Sequence, residues 1–270
     1  MDIRLHPLEP SDWNRAEGIE LEAEEEINRI NECKPPSFVF EEGVSKEGKY
    51  ECDLLCIGLC GAGASFVRSA VINSVQVKKI AVMHQEFSSN RLDEEEIHNR
   101  VSNKTSTDKG DCTIYALEDP TILVAEASQK ITSLQTFNWT QTLIKNISFK
   151  RLIILDSILQ SQYQVDFEAY PPLLRSITTS KQQLTKSLIP LEAPNVVEGL
   201  AASLLSKCEV LSIPATLLLS LEENHILEGD TLRAFESVVL PSLKIRNKGP
   251  IDYKTVLAAL KGRRVNSLFL

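Results

Sequence analysis

No stretch of this 270-residue chain is apolar for long enough to cross a bilayer; the longest run, around Leu211–Leu221, is about half of what a spanning helix needs. Met1–Pro10 also lacks the apolar centre of a secretory signal, so the expected location is the cytoplasm, with the nucleus as a second compartment. Basic residues are scarce: 29 Lys and Arg stand against 37 Asp and Glu, for a net charge of -8 and a pI near 5.2. Nonspecific binding to nucleic acid or to anionic membranes needs a clustered positive surface, and this balance argues against both. A protein partner is the expectation instead.

Signatures of catalysis and of metal binding are missing too. There is no HExxH, no GxSxG elbow and no GxxxxGK[ST] phosphate loop. The histidines, His6, His84, His98 and His225, are scattered through predicted loops. Asp156-Ser157, after a strand, is too common a pair to mark a nucleophile. No catalytic, cofactor or metal residue is therefore assigned, and the chain reads as a non-enzyme. Six cysteines are ordinary for a reducing compartment, and no disulfide is expected. Cys52, Cys56 and Cys60, evenly spaced on an extended strand, would share one face but lie far apart, which suits buried thiols and not a metal site. Three Asn-x-Ser/Thr triplets, at Asn103, Asn138 and Asn146, carry no weight without secretion. No internal repeat suggests a solenoid.

What is present is enough apolar material, 43% of residues, for one core of ordinary size. Residues 1–45 read as an acidic, partly disordered N-terminal arm. Residues 46–262 read as a single domain with a polar excursion at 84–111, and residues 263–270 as a C-terminal tail. Within the arm, Ile19, Ala23, Ile27 and Ile30 recur at roughly helical spacing among many carboxylates, a thin apolar edge that could dock on a partner.

Tyr50–Leu59 reads as a strand, Gly61-Ala62-Gly63 as a turn, the following SFVRSAVIN as a helix and Lys79–Met83 as a strand, a β-α-β opening. Cys112–Leu117 and Thr121–Ala125 form a predicted hairpin across Glu118-Asp119-Pro120. Leu134–Lys145 is a predicted helix leading into the apolar strand Arg151–Leu155. Thr231–Leu240, capped by Asp230, and Tyr253–Lys261, capped by Asp252, are further helices. This alternation predicts an α/β fold with a mainly parallel or mixed sheet covered by helices.

Leu191–Leu221 is the best punctuated unit. Asn195 and Glu198 have capping-box spacing, which predicts a helix from about Val196. Val197, Leu200, Ala201, Leu204, Leu205 and Cys208 lay an apolar stripe along it. Pro214 ends the helix, and Ala215–Leu221 follows as a short buried strand.

Pro194, Asn195, Val196 and Val197, then Ala201, Ala202, Ser206 and Cys208, then Ile213, Pro214 and Ala215 resemble the proteasome assembly chaperone family, in the first subunit of its heterodimer. Thr231, Ala234 and Phe235 extend the likeness. The resemblance implies a Rossmann-like fold, a related second subunit as partner, and work on the α subunits of the proteasome core particle while their ring forms. Gly262 stops the last predicted helix, and the chain runs on to Leu268-Phe269-Leu270. That ending is similar to the hydrophobic-tyrosine-any-residue motif of proteins that dock on the outer face of the α-ring, with phenylalanine in place of tyrosine. It implies that Leu268 and Phe269 fill a pocket between α subunits while the terminal carboxylate of Leu270 meets a lysine. The competing reading of Val265–Leu270 is an edge strand on the domain's own sheet.

An alternative of another class remains: a nucleotide-dependent α/β enzyme using the Gly58–Gly63 turn. Gly61-Ala62-Gly63 sits where phosphates bind in dinucleotide folds, with Glu86 at a tolerable distance for a ribose contact. Phe66 stands where the third glycine belongs, and a plain tight turn explains the same residues.

Overall fold

The computed structural model describes residues 34–44, 48–85, 111–165, 169–182, 188–223 and 227–246, with Ile251, Tyr253 and Leu257. Its eight strands are β1 Ser37–Phe40, β2 Tyr50–Gly58, β3 Lys78–His84, β4 Asp111–Ala116, β5 Ile122–Ala127, β6 Ile147–Leu159, β7 Leu174–Thr178 and β8 Ala215–Glu222. The helices are α1 Ala62–Phe66, prolonged by a π-helical Val67–Ile72, then α2 Ser133–Asn146, α3 Gly199–Val210, α4 Gly229–Arg233 and α5 Glu236–Ser242.

One sheet holds all the strands in the order β1-β3-β4-β5-β2-β6-β8-β7. β5, β2, β6 and β8 are parallel neighbours, and the remaining pairings are antiparallel. The expected mixed α/β sheet is what the chain forms. Leu54–Leu59 is buried throughout, as a parallel strand covered on both faces requires.

α2 and α3 cover one face, with Trp139, Leu143, Leu200, Ala201, Leu204 and Cys208 packed among Leu55, Ile57 and Leu152. α1, α4 and α5 cover the other, with Phe66, Leu232, Phe235 and Val239 among Cys56, Ile153 and Leu155. The Phe66 and Phe235 rings lie 5.4 Å apart, tilted by 58°. At about 25 cal/mol per Å², full burial of each large apolar side chain contributes about 1.5–3 kcal/mol, so these two layers are the main source of stability.

Several local expectations hold. The β4–β5 hairpin turns across Glu118–Pro120, where Thr121 donates to Asp119 Oδ1 through both N–H (3.1 Å) and Oγ1 (2.6 Å). α2 starts at Thr132, whose N–H and Oγ1 donate to Gln135 Oε1 at 3.4 and 3.0 Å. β2 and β3 flank a helical segment, though β4 and β5 lie between them in the sheet. Ser37–Phe40, inside the stretch read as the arm, forms the edge strand β1, where the Phe38 and Phe40 rings meet at 4.9 Å.

Other expectations are corrected. The helix after Pro194 begins at Gly199 and not near Val196, and Asn195 does not cap it. The Asn195 amide is engaged elsewhere: Nδ2 donates to Gln164 O and Glu192 O, both at 2.8 Å, and Oδ1 accepts from Gln164 N–H at 2.7 Å. The helix predicted over Thr231–Leu240 is two helices, broken at Ala234–Phe235, and Asp230 pairs with Arg233 instead of capping. Phe235 is wholly buried against Phe66, and the break delivers it there.

The three evenly spaced cysteines do not share a face. The N–H groups of Asp53 and Leu54 both donate to Thr121 O, at 2.8 and 3.2 Å, and the regular alternation of β2 breaks there. Cys52 therefore packs on the α2–α3 side, Cys56 on the opposite side, and Cys60 is exposed in the turn after the strand. Of the predicted last helix, Tyr253 and Leu257 are helical and buried. The rest of it, most of the arm, the excursion at 86–110 and the tail lie outside the described residues.

Candidate functional site

The segment that carries the family resemblance is fastened to β7 by a cluster of charge and aromatic character. Arg175 of β7 is only 5% exposed, and its Nε donates to both carboxylate oxygens of Glu192, at 2.7 and 2.9 Å. Tyr163 OH donates to Glu192 Oε2 at 2.6 Å, and the guanidinium lies 5.8 Å from the Tyr163 ring centroid. Burial pushes the Glu192 carboxyl up, but the hydrogen bonds from Tyr163 and Arg175 overrule it and hold it below the usual carboxylate range. Burial, with Glu192 in support, pushes the Tyr163 phenol up to about 12.

With Asn195 clamping Gln164, these contacts tie Pro194–Val197 to the chain that follows β6. Sequence reasoning missed this cluster. Its members are 17 and 29 residues apart, so no local periodicity links them.

The second region is the carboxyl edge of the parallel strands, where ligands settle in open α/β sheets. Gly58, Gly61 and Gly63 come together here, and the space that a side chain on Gly58 or Gly63 would need is filled by the protein itself. A Cβ on Gly63 would sit 2.1 Å from Leu155 O, and one on Gly58 would sit 2.3 Å from Gly63 O. Gly61 has φ +108°, a conformation that L side chains rarely adopt. The Ala64 N–H donates to Leu59 O at 2.7 Å, closing the turn on its own backbone. These are the requirements of tight strand-to-helix packing, and they account for all three glycines.

Beside the turn, Ser157 Oγ donates to Glu222 Oε2 at 2.9 Å. Burial pushes the neighbouring Asp156 carboxyl up to about 6 against the lowering effect of the Ser157 N–H, and the charge of Glu222 adds to the rise. Ser157 is thus bonded to a carboxylate, with no histidine base among its hydrogen bonds. Among the described residues, no group of His, Cys, Asp and Glu is arranged to hold a metal ion. Cys52, Cys56 and Cys208 are buried, and their thiols are pushed up to about 12 by desolvation, as befits inert packing side chains. Glu86, the candidate ribose contact, lies outside the described residues.

Leu268, Phe269 and Leu270 also lie outside the described residues. Apolar side chains that do face solvent include Val196 before α3, Val210 at its end, Phe137 on α2 and Tyr170 before β7. Among the described residues no helix is long and apolar enough to cross a membrane.

A family model described as proteasome assembly chaperone 4 matches residues 12–266. Proteasome assembly chaperone 1 of Xenopus laevis is 29% identical over 134 residues, covering 47% of this chain and 46% of the relative. Its namesake in Danio rerio is 28% identical over 206 residues, covering 73% of this chain and 72% of the relative. The chain thus spans about half the length of the first relative and more of the second. Pyrococcus furiosus PbaB, an archaeal proteasome activator, shares the fold, with a TM-score of 0.60 at 14% identity over 86% of this chain and 97% of that one. The family model covers nearly the whole domain, including the fastened segment at Pro194 and the close-packed glycine turn, and the chain belongs to the proteasome assembly chaperone family.

Proposed function

We propose that this protein pairs with a related second chaperone subunit, holds α subunits of the proteasome core particle while their ring forms, and leaves when the particle matures. The observation that carries this reading is the family match across residues 12–266. The work belongs to the cytoplasm and extends to the nucleus.

Docking on the outer face of the α-ring runs partly through Leu268-Phe269-Leu270. Leu268 and Phe269 are apolar and follow a predicted helix stop at Gly262, so they can enter a pocket between neighbouring subunits while the domain stays folded. The domain contributes a preorganised surface, because a rigid scaffold loses less conformational entropy on binding. The chemistry is recognition, with no bond made or broken. Nucleotide use draws no support from the glycine turn, since backbone packing already demands Gly58 and Gly63 and the backbone conformation demands Gly61.

The test is a pull-down from extract with the full chain and with residues 268–270 removed, the bound chains being identified by mass spectrometry. Recovery of α subunits and a related chaperone, with α subunits reduced by the truncation, is expected. Undiminished α-subunit recovery would sink the tail mechanism, and recovery of neither partner would sink the whole reading.

A further inference from the structure

The chain enters the described domain at a fixed point. Gln85 Nε2 donates to Lys34 O at 3.3 Å, and Pro36 is buried. Pro35, between them, is exposed and forms one wall of an open groove of about 380 Å³. Lys49 and one side of α2, including Asn138, Gln141, Ile144 and Lys145, line it as well. Lys49 and Lys145 are exposed, and neither has an ion pair among the described residues. In an acidic protein, two free ammonium groups on one groove are a local reversal of charge.

Thirty-three residues precede Lys34, and their second half is strongly acidic: Glu17, Glu20, Glu22, Glu24, Glu25, Glu26 and Glu32 stand against one cation, Arg29. We propose that the acidic stretch of residues 17–32 occupies this groove, its glutamates meeting Lys49 and Lys145 and its Ile27 or Ile30 meeting Ile144. Three observations favour that occupant over a separate molecule. The charges are complementary. The stretch ends next to the groove's own wall, with only eight residues between Glu26 and Pro35, a reach of up to about 30 Å when extended. Tethering makes the contact intramolecular, at an effective concentration in the millimolar range, so ion pairs too weak to hold a free peptide suffice. The proposal stands apart from the docking of the tail.

The test uses the full chain treated with a zero-length carbodiimide, which condenses a carboxylate with a touching lysine into an amide with loss of water. Peptides joining residues 17–32 to Lys49 or Lys145 are expected at least fivefold above those joining the same residues to the exposed Lys130 and Lys181. Trypsin cleavage after Arg29 supplies a second readout, expected to be at least threefold faster in K49E/K145E and in E24Q/E25Q/E26Q. The second variant leaves the described domain untouched, so misfolding cannot produce its effect. Evenly spread cross-links, cross-links confined to two-chain species, or unchanged cleavage in both variants would overturn the proposal.

Discussion

Gly63 of the first helical turn lies against Leu155 of β6 so closely that a Cβ on Gly63 would come within 2.1 Å of the Leu155 carbonyl oxygen. The obstacle is backbone in the middle of the sheet, which cannot move aside as a flexible side chain can. Gly63→Ala is therefore expected to destabilise the domain by about 1–3 kcal/mol or more. Urea unfolding measures it; a midpoint equal to wild type would contradict the packing account of this turn.

Asn195→Ala separates two roles for one residue. Loss of a helix cap would lower helicity, whereas loss of the clamp to Gln164 and Glu192 would leave α3 intact. The expected result is a cost of about 0.5–1.5 kcal/mol with an unchanged far-ultraviolet helical signal.

Arg175→Met removes the cation that Glu192 faces. The Arg175 side chain is buried and that of Glu192 is 35% exposed, so the cost at neutral pH should fall at the lower end of about 1.5–3 kcal/mol. The Glu192 carboxyl is held below its ordinary 4.5 in the folded protein. Its contribution is thus present above that value and lost as the pH falls through the lower, folded one. The gap between wild type and variant should shrink from pH 7 to pH 3, and a constant gap would assign the cost to packing alone.

Asp156 has the opposite sign. Its carboxyl is raised from 3.8 to about 6, so its charged form opposes folding, and stability from this group is full below pH 3.8 and lost as pH rises through 6. Asp156→Asn keeps an oxygen for the Ser157 N–H and removes the charge. It should raise stability by about 1–3 kcal/mol at pH 8 and leave it nearly unchanged at pH 4. Equal melting temperatures at pH 8 would show that solvent relieves this carboxylate.

Phe269→Tyr restores the hydroxyl of the docking motif that the tail resembles. Within the proposed function, docking on the α-ring should tighten by about 0.5–1.5 kcal/mol, or roughly two- to twelvefold in affinity. The domain's melting temperature should not move. Affinity measured by interferometry on immobilised core particles decides it, and no change would remove Phe269 from the contact.

Much of the architecture was legible from short-range patterns. The buried run at Leu54–Leu59, the hairpin at Asp119-Pro120 and the stop at Pro214 all follow from interactions within one or two turns of chain. Asn195 misled because the sequence shows only a cap-forming side chain beside a helix, and the amide found better partners 31 residues away, at Gln164. The cysteine spacing misled in the same way, since the break in alternation at Asp53 involves the Thr121 carbonyl, 68 positions further along the chain.

The sequence by itself determined that strands and helices alternate, that the surface is acidic, and which segment carries the family likeness, because each depends on residue type and near spacing. Only the tertiary structure decided the strand order, the joining of Tyr163, Arg175 and Glu192, and the groove where Pro35 meets Lys49 and Lys145. Those features bring together groups far apart along the chain. Their energies come from burial and from charge pairing across the sheet, which local propensity does not encode.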